Sequence, residues 1–282
     1  MGRKTIYGIC HVCGTYAGLT EEHVPPKAVP NKNTYIELTF EQSIRIGMDE
    51  IPQGPKRQGG IRYPSLCGRC NNKFGRWYVP SLNEWYWGGG YVLRQMEEIG
   101  LDAATFSARN VYPLRIIKAV VAMFMAVNPE RFRTEPVGAE LARLLLDKEA
   151  KGLPEGVRFF TYFNHTGQLR YLPLMEAYRV TEETTLDNVL SDRSLHVSEI
   201  TYPPYGFVMA LDWNRINPRL FNISHFADFD YDQASTVELD LAVLPTHRGE
   251  IPNDYRTREE VERDAQRNVE EAIRQGIDPT TI

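Results

Sequence analysis

From Leu114 to Val127 apolar residues occupy nearly every face of a helix, interrupted only by Arg115 and Lys118. The run predicts a buried helix that ends before Pro129. A second helical pattern covers 137–151 and is stopped by Gly152 and Pro154. Beyond it the period shortens. Val157–Phe163 and Gln168–Leu174 flank Asn164-His165-Thr166-Gly167, a hairpin signature, and Leu195–Tyr202 and Phe207–Asp212 flank Pro203-Pro204-Tyr205-Gly206 in the same way. Thr236–Leu241 alternates polar and apolar residues, as a half-buried strand does. A last helix starts with a capping box at Thr257 and Glu260, carries the stripe Val261, Ala265, Val269 and Ile273, and stops at Gly276. Residues 100–282 therefore read as an α+β domain with a mainly antiparallel sheet. Before it, Trp77, Tyr78, Trp85, Tyr86 and Trp87 cluster around Pro80, a set suited to core packing at a junction. Gly88-Gly89-Gly90 follows as a joint or tight turn.

A chain of 282 residues is long enough for two domains. Its charge is uneven: residues 1–79 hold 11 Lys/Arg against 6 Asp/Glu, a net +5, whereas residues 100–282 hold 20 against 28, a net −8. We divide it into a module over 1–99 and a larger domain over 100–282. With no signal-like apolar segment after Met1 and no apolar run of about 20 residues, a cytoplasmic protein without membrane contact is expected.

The only four cysteines are Cys10, Cys13, Cys67 and Cys70, two C-x-x-C pairs. Each pair folds as a knuckle offering two thiolates, and two knuckles complete a tetrahedral structural Zn²⁺ site. His11 lies inside the first knuckle and is expected to be exposed. After the first pair comes Glu21-Glu22-His23-Val24-Pro25-Pro26-Lys27; after the second comes Asn71-Asn72-Lys73-Phe74-Gly75. An acid beside a histidine presents a metal ligand and a base together. The zinc staple would bring Glu22, His23 and Asn71 into one place.

C-x2-C, then Glu-His-x-x-Pro, then Leu-Cys-x2-Cys-Asn-x-Lys-x-Gly resembles the zinc-stapled HNH endonucleases of the ββα-metal fold, over residues 5–79. The resemblance implies an N-terminal HNH-like module stapled by structural zinc. It makes His23 the general base that activates water against a phosphodiester. It makes Glu22 and Asn71 ligands of a catalytic Mg²⁺ or Mn²⁺. The middle Asn of that family, five residues before the third cysteine, is Arg62 here, and we count Arg62 with the catalytic set. Asn31 and Asn33 are nearby, but no spacing appoints either. Lys27, Arg69, Lys73 and Arg76, with Lys56 and Arg57, are the expected phosphate contacts. Gln53–Gly60 is a loop by composition.

The expected function is thus metal-dependent cleavage of nucleic acid, DNA ahead of RNA, and a restriction or anti-phage role would suit such an architecture. The C-terminal domain would select substrate or bind a protein partner or a second copy. The alternative is a non-catalytic zinc module that binds nucleic acid or protein. Asp228, Asp230 and Asp232 lack the Gly and Glu that a calcium loop needs, since Gln233 and Leu239 stand there. They read as an acidic turn. His165, His196, His225 and His247 show no ligand spacing.

Overall fold

The computed structural model describes residues 5–29, 35–36, 55–57, 62–164, 170–178, 194–211, 219–244 and 274. The fold is mixed α and β, with mainly antiparallel sheets. Strand β1 (Ile6–Ile9) pairs with β2 (Tyr16–His23), and β2 pairs with β5 (Arg62–Cys67), giving a three-stranded sheet in the order β1-β2-β5. Between β2 and β5 lie the short paired strands β3 (Tyr35–Ile36) and β4 (Lys56–Arg57). Helix α1 (Gly68–Trp77) follows β5 without a break.

Helix α2 (Val79–Ile99) runs straight through Gly88-Gly89-Gly90, so the expected joint is not there. Each glycine weakens a helix by roughly 1 kcal/mol relative to Ala. Burial of Trp85, Tyr86 and Trp87 offsets this, since large aromatics carry most of a core's apolar surface. Gly89 has its own reason: a Cβ there would lie 2.1 Å from the Tyr205 hydroxyl oxygen. The Tyr205 ring instead stacks on Trp85, and its hydroxyl donates to Trp85 O at 3.2 Å.

Helix α3 (Pro113–Val127) is buried along almost its whole length, as its all-round apolar pattern requires. It packs against α2, α4 (Pro136–Leu146), β5 and α1. The second helical pattern therefore ends at Leu146, five residues before its expected end at Lys151, because Asp147 takes an extended conformation.

The larger sheet has the order β11-β7-β10-β9-β8, with β7 (Val157–Phe163), β8 (Arg170–Tyr178), β9 (Ser194–Tyr202), β10 (Tyr205–Leu211) and β11 (Phe221–Asn222). The β9–β10 hairpin is as expected, with Tyr202 opposite Tyr205. The β7–β8 hairpin is not: β10 takes the place beside β7, and β8 pairs with β9 instead. Turn residues at 164–167 mark a reversal of the chain without saying which strand becomes the neighbour. Strand β12 (Ser235–Ala242) alternates buried and exposed positions, and it pairs with β6 (Ala103–Val111), a strand the pattern did not announce. The final helix from Thr257, the turn residues His165–Gly167, most of the Gln53–Gly60 loop, Asn31, Asn33 and His247 lie outside the described residues. One continuous core runs from Cys10 to Leu241 across residues 99 and 100.

The C-terminal end of α4 is closed from outside. Tyr78 Oη donates to Leu145 O at 2.9 Å, and Lys73 Nζ donates to Leu146 O at 2.8 Å. Lys118 Nζ donates to Asp147 O and Lys148 O at 2.8 and 2.9 Å. The last carbonyls of a helix have no partner within it, and cations near them are favoured.

Two predictions concern this packing. Gly89→Ala should destabilise the fold by about 1–3 kcal/mol, the usual effect of overpacking. Unchanged denaturant midpoints would contradict the close approach of Tyr205. The second concerns Lys118, whose buried amine is pulled down from 10.5 to about 8. The unfolded chain keeps that proton up to 10.5, so between about 8 and 10.5 unfolding takes up a proton and stability from this group rises with pH. Urea titrations should show wild type gaining on Lys118→Met as pH climbs through that window, and a constant difference would refute the burial of the charge.

Candidate functional site

The first knuckle occupies the turn between β1 and β2, and the second spans the junction of β5 with α1. All four sulfur atoms lie within 4.8 Å of one another. Cys13 Sγ is 3.7 Å from Cys67 Sγ, close to the edge of about 3.8 Å expected in a tetrahedron with Zn–S bonds near 2.3 Å. The cluster is therefore compatible with a zinc site. The hydrogen bond from Cys70 draws the Cys10 thiol well below its ordinary value, which leaves Cys10 ready to bind a cation as thiolate.

His11 is not an exposed knuckle residue. Its backbone N–H donates to Ser65 O at 2.9 Å, and its Nδ1 lies 3.2 Å from Met125 O near the end of α3. The knuckle is thus docked on both β5 and the central helix. Val12 beside it is buried.

The staple leads directly to the residues singled out by sequence. In the β2–β5 pair His23 is opposite Arg62 and Glu22 is opposite Tyr63. Asn71, one turn into α1, donates from Nδ2 to Thr20 Oγ1 at 2.9 Å, and Thr20 Oγ1 donates to Leu66 O at 2.8 Å. Thr20 and Glu22 are two residues apart on one strand and share a face. Asn71 is thereby turned onto the Glu22 side of β2. Its amide nitrogen is used, and its amide oxygen has no hydrogen bond among the described residues.

The two adjacent acids differ. Glu21 forms an ion pair with Arg62 at 3.0 Å. Glu22 is half-buried and has no ion pair or hydrogen bond among the described residues. Burial pushes its carboxyl up to about 7. Burial, with the cations Lys27 and Arg62, holds the His23 imidazole below its ordinary value despite the opposing charge of Glu21. The ring is therefore neutral near pH 7.

The basic residues separate by environment. Lys27 is exposed, as are Arg69 and Arg76. Arg69 reaches the Cys13 sulfur, and Arg76 Nε donates to Asn72 O at 3.4 Å. The amine of Lys73 is committed to Leu146 O and also stands 4.3 Å from the centre of the Trp77 ring. Lys56 and Arg57 are placed only as backbone, in β4. Sequence reasoning missed Thr20 and Glu21. The two-residue period of β2 would have pointed to Thr20 as the partner of Glu22 on its face. Asp230 and Asp232 pair with Lys151 and Arg115, as an acidic turn does. No described helix is long and apolar enough to cross a membrane.

No family model matches the chain, and no curated protein or solved structure matches it.

Metal analysis of protein purified without chelator should find about one zinc per chain. Cys67→Ala should abolish it and lower the unfolding temperature, because the free energy of binding a structural metal is folding free energy. Zinc-free wild-type protein of full stability would rule the site out.

Proposed function

We propose that the protein is a metal-dependent endonuclease of the HNH type that hydrolyses phosphodiester bonds of nucleic acid. The observation that carries this reading is the conjunction on β2 of a neutral His23, a half-buried and unpaired Glu22, and Asn71 turned onto the Glu22 face. A carboxyl that is half-buried without a partner is destabilised as an anion, and a cation removes that penalty. Glu22 and the Asn71 amide oxygen form an all-oxygen donor set, which suits Mg²⁺ or Mn²⁺ rather than zinc. Such an ion supplies charge stabilisation for the phosphate and the leaving oxygen.

The chain's own residues account for the remaining requirements. His23, neutral at working pH, accepts a proton from the attacking water. The Glu21–Arg62 pair ties the end of β2 to the start of β5. That is the orienting task the family gives to its middle Asn. Asn71 is held in one rotamer by Thr20, so its oxygen is presented without further ordering. Exposed Lys27, Arg69 and Arg76 are available to phosphates.

A second reading is a zinc module that binds nucleic acid without cutting it. It is favoured by the presence of Arg62, already engaged by Glu21, where the family has Asn.

One assay separates the two. Purified protein is incubated with plasmid, single-stranded DNA and RNA, with Mg²⁺ or Mn²⁺. His23→Ala should lower the cleavage rate by about 10²–10⁴-fold, the usual effect of losing a general base, while zinc content and unfolding temperature stay as in wild type. Asn71→Ala should raise the Mg²⁺ concentration needed. Cleavage by His23→Ala at the wild-type rate, or no cleavage of any substrate by wild type, removes the nuclease reading.

A further inference from the structure

At the opposite end of β2 from His23, two large aromatic side chains stand in solvent. Tyr7 is 65% exposed and Tyr16 is 70% exposed, and their rings stack at 6.4 Å between centroids, 26° apart. They come from adjacent strands, and the residue opposite Tyr7 is Gly18. No side chain from Gly18 covers the Tyr7 ring. Tyr16, Gly18, Thr20 and Glu22 fall on one face of β2 by the two-residue period. The aromatic pair therefore lies on the face that carries Glu22 and receives Asn71.

Two guanidinium groups flank the same end. Arg69 reaches the sulfur of Cys13. Arg133 packs over the knuckle so closely that a Cβ on Gly14 would lie 2.7 Å from its Cζ, and Gly14 has a φ of 72° that also favours glycine. Arg133 Nε is buried without a hydrogen-bond partner. Among the described residues neither arginine forms an ion pair with a carboxylate. The surrounding residues 1–79 carry a net +5. An exposed pair of stacked rings beside two guanidiniums without a carboxylate partner is complementary to a chain of bases and phosphates. Every base offers a face for stacking, and every phosphate an oxygen for a planar fork of donors.

We propose that Tyr7 and Tyr16, with Arg69 and Arg133, form a stacking platform that holds single-stranded DNA at the start of β2, beside the cysteine cluster. The binding does not rest on the nuclease reading. Duplex DNA keeps its base faces covered and gains nothing from the rings. A platform of rings and guanidiniums also gives RNA no advantage through its 2′-hydroxyl.

The test is fluorescence anisotropy with labelled 12-nucleotide single-stranded DNA, single-stranded RNA and duplex DNA. The zinc-loaded full chain is used without added Mg²⁺ or Mn²⁺, so that binding is read apart from cleavage. Tyr16→Leu and Tyr7→Leu keep an apolar strand residue and should weaken binding of single-stranded DNA by about tenfold or more, and Tyr16→Phe should bind as wild type does. Arg69→Gln and Arg133→Gln should each lower the slope of log affinity against log salt by about 0.7, with zinc content unchanged. Equal affinity of Tyr16→Leu and wild type overturns the platform, as does tighter binding of duplex than of single strands. A preference for RNA overturns the assignment to DNA. If the arginine variants lose zinc and keep the salt slope, the arginines serve the thiolate cluster and the phosphate role is wrong. Cleavage by wild type with unaltered binding by the tyrosine variants would leave the nuclease reading standing without the platform; weakened binding with no cleavage would do the reverse.

Discussion

Four sulfur atoms within 4.8 Å of one another join the turn after β1 to the junction of β5 and α1. Everything at the candidate site is referred to that junction. With Cys67 ending β5 and Cys70 inside the first turn of α1, the helix cannot rotate relative to the strand without breaking the cluster. The rotation in turn decides where Asn71 points. The other knuckle fixes the start of β2, and the antiparallel register carries that constraint to its end, where Arg62 meets His23. Four thiolates closed around a zinc ion would have no chemistry of their own to offer. Their part would be to fix the geometry of the strands and helix that meet at the cluster.

The adjacent acids Glu21 and Glu22 show how a strand distributes different tasks to neighbouring residues. Successive side chains point to opposite faces. One acid meets Arg62 and becomes a brace; the other is left half-buried and unpaired, on the side where Asn71 arrives. The bulge between Thr20 and Glu21 in the pairing with β5 falls at the boundary between the stapled part of β2 and the part that bears the acids and His23.

Local signals read well where a local cause sets the structure. The all-apolar run became α3, the alternation at 236–241 became part of β12, Pro203-Pro204 turned the β9–β10 hairpin, and two C-x-x-C pairs became one cluster. What failed depended on partners distant in sequence. Gly88-Gly89-Gly90 has the composition of a joint, yet it is helical within a helix that buries Trp85, Tyr86 and Trp87, and Gly89 leaves the space that Tyr205 needs. Strand β7 was given the wrong neighbour because hairpin signals do not report that β10 returns to lie beside it. Within the candidate site, residue type and spacing singled out Glu22, His23 and Asn71, and β2 carries the first two while Asn71 reaches Thr20 on that strand. Thr20 was passed over: the two-residue period puts it on the Glu22 face, but not its bond to Asn71 of the helix.

The closure of α4 bears on how this chain can be divided. Its final carbonyls are satisfied by Tyr78 and Lys73 from the segment next to the cysteine cluster, and the two carbonyls just beyond it by Lys118 from the central helix. His11 adds a bond in the other direction, from the first knuckle to the end of α3. A fragment cut after α1 would take Lys73 away from Leu146 and His11 away from Met125, and would expose the core that runs across the cut. The strand–strand–helix unit is therefore not a portable cassette in this protein. Transplanting it, or replacing the C-terminal region by another specificity domain, would first require new donors for the end of α4 and a new acceptor for His11.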